Sequence, residues 1–184
     1  GDLSGPAIDF STKSDLENIT LTGDFESITL NGNNNLTTAS LKAKASNGII
    51  DITDNGDLVT LDLADSSATG VTLTNNDNLI AAAIKTTMIA GTGATDKIDG
   101  VVTVTNNDDM TSLAVWSSGL KTLTITGNSD LASIETAKII ALSATTPVAA
   151  TASTLRSVSI SGNALEASVV QVNTAATTTA AGGT

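Results

Sequence analysis

The chain repeats a short pattern in which apolar and polar residues alternate and then give way to a polar turn. In the clearest copy, Val102-Thr-Val-Thr-Asn-Asn-Asp-Asp-Met110, two valines flank a threonine, polar residues fill the turn, and an apolar residue ends it. Alternation with a period of two predicts a short β-strand that buries one face. We number the positions of each repeat from its first aliphatic residue, so Val102 is position 1 and Asn107 is position 6.

The second half of each repeat carries another set of apolar residues. In the repeat that begins at Ile50, these are Leu58, Leu61 and Leu63. Each repeat therefore offers two apolar edges to a core, and it cannot bury them alone. Neighbouring repeats must stack, and parallel stacking places adjacent strands about 4.8 Å apart.

The repeats start near residues 8, 28, 50, 71, 102, 123 and 158. The intervals are 20, 22, 21, 31, 21 and 35 residues, so the period is about 21, and the two long intervals contain insertions at 85–98 and 137–155. Periods of this size are typical of solenoids, whose insertions form loops or short helices. We therefore predict an all-β fold: a parallel β-solenoid of about seven coils in residues 1–171.

Residues 172–184 are rich in Thr and Ala, which is typical of a linker, and we expect them to lead to a further domain of a longer polypeptide. The printed sequence shows no positively charged apolar leader. It also contains no apolar run near the roughly 18 residues that cross a bilayer, so no transmembrane segment is expected.

Position 6 is an asparagine in every repeat except the first, where Lys13 occupies it. Asparagine adopts turn dihedrals that other residues resist, and its amide can bond the backbone of its own and the adjacent coil. The pattern predicts an internal asparagine ladder of the kind that stacked strands form. Its members are Asn33, Asn55, Asn76, Asn107, Asn128 and Asn163.

Composition excludes several classes of function. The chain has 19 acidic and 8 basic residues, a formal net charge of −11, so nucleic acid would be repelled. It has no cysteine, which excludes disulfides, thiolate metal sites and a cysteine nucleophile. With no histidine or tyrosine and Arg156 as the sole arginine, the materials of acid–base catalysis are reduced to carboxylates, and we expect no enzyme.

Two segments carry a resemblance to a known family. Val102-Thr-Val-Thr-Asn-Asn-Asp-Asp-Met-Thr-Ser-Leu113 and Leu123-Thr-Ile-Thr-Gly-Asn-Ser-Asp-Leu-Ala-Ser-Ile134 resemble receptor L domains and related leucine-rich-repeat-like cell-wall proteins, in which a strand leads into an Asn-containing turn followed by Leu. The resemblance implies a right-handed β-helix and an extracellular setting. This chain departs from those relatives in lacking cysteine and having few aromatic residues.

The composition also resembles that of bacterial surface-layer proteins, which are acidic, rich in Thr, Ala and Asp, and often ordered by calcium. Together the two resemblances imply a structural module of a surface layer (S-layer) or biofilm matrix, which assembles with its own copies and with flanking domains at the cell surface. The alternative is an adhesin-type binding module that recognises a cell-surface glycan, a protein or ice.

The turns contain acidic and amide side chains that are candidate calcium ligands. Calcium takes about six to eight oxygen ligands, and stacked turns would place such oxygens along one edge. The alternative is that Asp and Asn are simply good turn residues. The candidates are Asp54, Asp57, Asp77, Asn78, Asp108, Asp109 and Asp130.

Two further features are candidate interfaces. Thr-X-Thr pairs recur in three consecutive repeats, an array that resembles the surface of ice-binding proteins, although Thr is also a common residue of half-exposed strands. These residues are Thr72, Thr74, Thr103, Thr105, Thr124 and Thr126. Trp116, the single tryptophan, ends an apolar stretch and is either an interface contact or part of the core.

Overall fold

A computed structural model of the protein describes residues 5–45, 48–63, 66–84, 86–88, 100–115, 120–135 and 157–163. All the regular elements in these ranges are β-strands, and their pairings within two sheets are parallel. The prediction of an all-β fold with parallel strands is therefore confirmed. A parallel β-solenoid is consistent with this arrangement.

The strands follow one another at short intervals. In chain order they are β1 (Ile8–Asp9), β2 (Asn18–Phe25), β3 (Ile28–Asn31), β4 (Thr38–Ala45), β5 (Ile49–Thr53), β6 (Thr60–Asp62), β7 (Ser67–Ala68), β8 (Gly70–Thr74), β9 (Ala81–Ile84), β10 (Thr87–Met88), β11 (Val101–Thr105), β12 (Ser112–Val115), β13 (Thr122–Thr126), β14 (Ser133–Glu135) and β15 (Ser157–Ser161).

The first sheet contains the strand that begins each sequence repeat. Its order is β1-β3-β5-β8-β11-β13-β15, so each strand pairs with the strands of the preceding and the following repeat. The position 1 residues lie side by side in this sheet: Ile8, Ile28, Ile50, Val71, Val102, Leu123 and Val158. Residues at the same position of successive sequence repeats are therefore paired in the sheet.

The second sheet contains the strand that follows each turn. Its order is β10-β7-β4-β6-β9-β12-β14, and β2 pairs with β4. Strands β2 and β4 each span eight residues, and the later part of β4 continues into a pairing with β7 through Lys44 and Ser67. The early repeats therefore extend the second sheet beyond the short strands that alternation indicated.

The core is a column of aliphatic side chains between the two sheets. Ile50 and Ile52 of β5 are fully buried, whereas Asp51 and Thr53 are partly exposed, as the alternation predicts. From the second sheet, Leu61 extends into the same column. Burying each such side chain contributes about 1.5–3 kcal/mol, so stacked repeats stabilise one another along the whole column.

The first repeat covers one end of this column. Phe10 and Phe25, the two phenylalanines of the chain, are partly buried and pack against the aliphatic core. A phenylalanine covers more apolar surface than the aliphatic residues of the other repeats. Both are therefore suited to shielding the end of the column from water.

The described part of the first predicted insertion differs from the expected loop or helix. Thr87 and Met88 form strand β10, which pairs with Ser67 and Ala68 of β7. Pairing with β10 satisfies backbone groups of β7 that an edge strand leaves unpaired. Thr87 is β-branched, and such residues favour strands. The second insertion, 137–155, lies outside the described residues, as do 89–98 of the first.

Charging one core position tests the column directly. Ile125 is fully buried, and its neighbours across the first sheet are Val104 and Ile160. The Ile125→Asp variant places a carboxylate among aliphatic side chains, and we expect it to cost at least about 4 kcal/mol of unfolding free energy in urea titrations. Thr124→Asp, one residue away on the outer face, is the matched control. Equal unfolding midpoints for the two variants would show that Ile125 does not face the core.

Candidate functional site

A row of buried asparagines runs along the stack at position 6. The side chain of Asn107 shows the arrangement: its Oδ1 accepts from the backbone N–H and the Nδ2 of Asn76, both at 3.0 Å. Its own N–H and Nδ2 donate to Oδ1 of Asn128, again at 3.0 Å. Nδ2 also lies 3.1 Å from the carbonyl oxygens of Leu73 and Thr105. The amide thereby joins three successive repeats.

The same bonds connect the other members of the row. Asn33 donates to Asn55 and Asn55 to Asn76, in each case through both the backbone N–H and Nδ2. At the far end, Asn128 donates to Asn163 at 3.0 and 2.9 Å. At the near end the backbone N–H of Lys13 donates to Asn33 at 2.8 Å. The row therefore runs without a break from Lys13 to Asn163.

The residue before each asparagine has the left-handed backbone conformation. We attributed the special turn dihedrals to the asparagine itself, but the structure places the positive φ at position 5. The values are 54° at Thr12, 68° at Gly32, 56° at Asp54, 54° at Asn75, 52° at Asn106, 71° at Gly127 and 65° at Gly162. Glycine, asparagine and aspartate tolerate this region best, and six of these seven positions hold one of them.

An open groove follows the turns beside the asparagine row. It has a volume of about 590 Å³ and is lined by residues of positions 5 and 7: Asn34, Asp54, Gly56, Asn75, Asp77, Asn106 and Asp108. Nδ2 of Asn75 donates to Oδ1 of Asp54 at 2.8 Å, so an amide partly offsets the charge of a neighbouring carboxylate. The groove combines carboxylate and amide oxygens, which are the donors that calcium prefers.

The seven candidate calcium ligands fall into two rows. Asp54, Asp77 and Asp108 line the groove. The others occupy position 8, where Nδ2 of Asn78 lies 3.5 Å from Oδ1 of Asp57. In the part of the chain that the structure describes, no three acidic side chains are grouped closely enough to hold a metal ion between them.

The threonine pairs lie in register on the outer face of the first sheet. Thr72, Thr103 and Thr124 pair in succession at position 2, and the position 4 residues Thr74, Thr105 and Thr126 do the same. All six are partly exposed. Trp116, the other candidate interface residue, lies outside the described residues.

Among the described strands, β1 lies at one edge of the first sheet, and this edge carries a negative charge. The N–H groups of Phe10 and Thr12 donate to Thr29 and Asn31 of the next repeat, so the intervening N–H of Ser11 faces away from it. That N–H and the Ser11 hydroxyl both donate to Oδ1 of Asp9. These bonds lower the pKa of the Asp9 carboxyl, with a smaller contribution from the charge of Lys13. A charged residue on an edge strand discourages pairing with another chain.

No protein-family model, curated protein or solved structure matches the chain. The described residues contain no helix of the length and apolar character that crossing a membrane requires. The function must therefore be argued from the geometry of the stacked repeats.

Removing one amide tests how much the row contributes. Asn107→Ala leaves the backbone N–H of Asn76 without its acceptor, removes one of the three acceptors of Asn76 Nδ2, and deprives the buried carbonyl oxygen of Leu73 of a donor. Each unsatisfied buried group costs about 1–3 kcal/mol, so we expect a loss of about 3 kcal/mol or more in chemical denaturation.

Asn78→Ala is the control for this variant, because Asn78 is an exposed turn residue. Its effect should stay within about 0.5 kcal/mol, as is usual for surface substitutions. Similar losses in the two variants would mean that the buried row has no special contribution to stability.

Proposed function

We propose that this domain is a structural module of an extracellular bacterial surface layer or biofilm matrix, which assembles with its own copies and with flanking domains. The finer fold belongs to the same proposal: a right-handed, leucine-rich-repeat-like β-solenoid of about seven coils in residues 1–171. The in-register pairing of the repeat strands supports the solenoid. The extracellular location rests on the composition and on the resemblance to receptor L domains and cell-wall proteins.

The asparagine row carries this proposal. From Lys13 to Asn163 each repeat is bonded to the next through backbone strands and, in addition, through buried side-chain amides. Opening one repeat therefore breaks bonds on both of its sides. Such a rod resists local unfolding and proteolysis, which a permanent extracellular layer needs.

The distribution of acidic groups favours a structural function over a catalytic one. A carboxyl that acts as general acid is usually held in an apolar pocket, which keeps it protonated at neutral pH. The turn carboxylates Asp54, Asp77 and Asp108 are exposed instead and recur with the repeat. These carboxylates therefore form a charged outer edge rather than the buried acid of a catalytic site.

Calcium at this edge is part of the proposal. With a net charge of −11, the chain pays an electrostatic cost when carboxylates stack along one edge. A divalent cation bound between adjacent turns would lower this repulsion, and binding to the folded state alone would raise stability by mass action. The groove row supplies carboxylate and amide oxygens for such a cation.

Self-assembly of the purified chain is the first test. At increasing protein concentration, sedimentation velocity should show species larger than a monomer, and negative-stain electron microscopy should show sheets or filaments with a regular repeat. The physical reason is that the stacked repeats present the outer faces of two β-sheets along which copies can associate. A chain that sediments as a monomer at every concentration, with and without calcium, would contradict assembly through this domain.

Thermal melting tests the calcium site. The melting temperature should rise in millimolar calcium above its value in sodium chloride of equal ionic strength, because screening alone would make the two salts equivalent. The double variant Asp77→Asn with Asp108→Asn should lose this difference. The matched variant Asp109→Asn with Asp130→Asn removes the same charge from the neighbouring row and should retain it.

Two results would contradict calcium binding in the groove. One is a wild-type melting curve that is the same in calcium and in matched sodium chloride. The other is an equal loss of the calcium effect in both double variants, because general charge attraction would then account for it. Neither result bears on assembly, which is measured separately.

A further inference from the structure

The outer face of the first sheet carries an ordered array of hydroxyl groups. Positions 2 and 4 of β8, β11 and β13 contribute six threonines, and Ser159 and Ser161 of β15 extend the two rows. The strand pairings place these residues in continuous rows along the stack. The array is a consequence of the repeat register and includes no residue of the turns.

The six threonine hydroxyls make no hydrogen bond to any other described residue. By contrast, Thr53, in the preceding repeat, donates to Oδ1 of Asp51 at 2.6 Å. The six are partly exposed, so their hydroxyls are available to a partner outside the protein. This part of the face is also uncharged, because threonine and serine occupy positions 2 and 4 from β8 to β15.

The spacing of the array is set by the β-sheet. Hydroxyls of successive repeats are about 4.8 Å apart along the stack, and positions 2 and 4 are about 6.6 Å apart along each strand. In tetrahedrally bonded water an O–H···O distance of about 2.75 Å puts second-neighbour oxygens about 4.5 Å apart. The spacing of the hydroxyls along the stack exceeds the second-neighbour spacing of water by about 0.3 Å per repeat, which is within the range of about 0.5 Å over which O–H···O distances vary.

We propose that this threonine face binds the surface of ice. The hydroxyl rows hold the first layer of water near lattice positions, and the threonine methyl groups fill the space between the rows. Water bridging of this kind is nearly as favourable as direct hydrogen bonding. The rigid stack keeps the rows in register, so little further ordering accompanies binding. This activity is independent of the proposed assembly.

A neutral polysaccharide is the competing partner for a hydroxyl face. Sugar rings are commonly held against aromatic side chains, whose flat apolar faces they cover. Positions 2 and 4 of the described first-sheet strands contain no aromatic residue. The observations therefore favour ordered water over a carbohydrate.

Blocking the face tests the proposal. The wild-type chain should show thermal hysteresis and should inhibit ice recrystallisation. Thr103→Tyr, at the centre of the array, places an aromatic ring above the hydroxyl rows and should abolish most of both effects. Thr60→Tyr is the control, because Thr60 is an exposed residue on β6 of the second sheet. Circular dichroism melts of both variants establish that the fold is retained.

Extending the face provides a test in the opposite direction. Asp51 interrupts the position 2 row between Thr29 and Thr72, with which it pairs directly. The Asp51→Thr variant gives five consecutive threonines, from Thr29 to Thr124, and removes a charge from the face. Thermal hysteresis should increase over wild type at equal protein concentration.

Three results would overturn the proposal. The first is a wild-type chain with no more effect on ice growth than serum albumin at the same concentration. The second is an equal loss in Thr103→Tyr and Thr60→Tyr, or no gain in Asp51→Thr. The third is sedimentation of the wild-type chain with insoluble cellulose or chitin, together with no effect on ice, which would assign the face to a polysaccharide.

Discussion

The requirement that a buried amide satisfy all its hydrogen-bonding groups controls the architecture of this protein. The position 6 asparagines of five successive repeats, from Asn33 to Asn128, are fully buried, each with two side-chain donors and one acceptor. A buried polar group without a partner would be costly, and no solvent can supply one inside the stack. The position 6 residue of the next repeat supplies part of this bonding and backbone carbonyl oxygens supply the rest, so the amides require the same geometry in each turn.

This constraint explains why insertions are tolerated between repeats but not within the turn. Asn76 and Asn107 are 31 residues apart, yet their Nδ2–Oδ1 distance of 3.0 Å equals that between Asn107 and Asn128, which are 21 apart. The link from Asn128 to Asn163 spans 35 residues at 2.9 Å. Added residues must leave and rejoin the stack without displacing the amide. Lengthening a loop has only a small entropic cost, whereas breaking the row leaves several buried groups unsatisfied.

Much of the first sheet could be predicted from the sequence because its signal is local. Alternation identifies the inward face, so Ile50 and Ile52 are buried as expected. From the sequence, the special turn dihedrals are attributed to the position 6 asparagine, whereas the structure places the left-handed conformation at position 5. Position 5 is glycine, asparagine or aspartate in six repeats, and this composition is a usable signal for that conformation. Thr12 shows the limit of that signal. It is β-branched, so its left-handed conformation can be inferred only from the equivalent position of the other repeats.

The second sheet was less predictable because long-range pairing decides its extent. Strand β2 continues through Gly23, whose φ of 124° interrupts normal alternation, and it is held by the equally long β4. Likewise, β10 is only two residues long and is defined by its pairing with β7, which is distant in sequence. The division of the turn acids into a groove row and a neighbouring row also follows from the turn backbone, since positions 5 and 7 lie on either side of the buried asparagine.

The surfaces of the molecule separate charge from hydrogen-bonding capacity. Carboxylates such as Asp77 and Asp108 lie on the turn edge, whereas the outer face of the first sheet from β8 to β15 carries uncharged threonine and serine at positions 2 and 4. Flat β-surfaces tend to associate, and a strongly negative edge opposes non-specific contact between like molecules. At β1, the terminal strand of the described first sheet, Asp9 places a negative charge that opposes pairing with another chain. The negative charge therefore lies on the turns and at the Asp9 edge, whereas the repeat register presents an ordered array of hydroxyl side chains on the first sheet from β8 to β15.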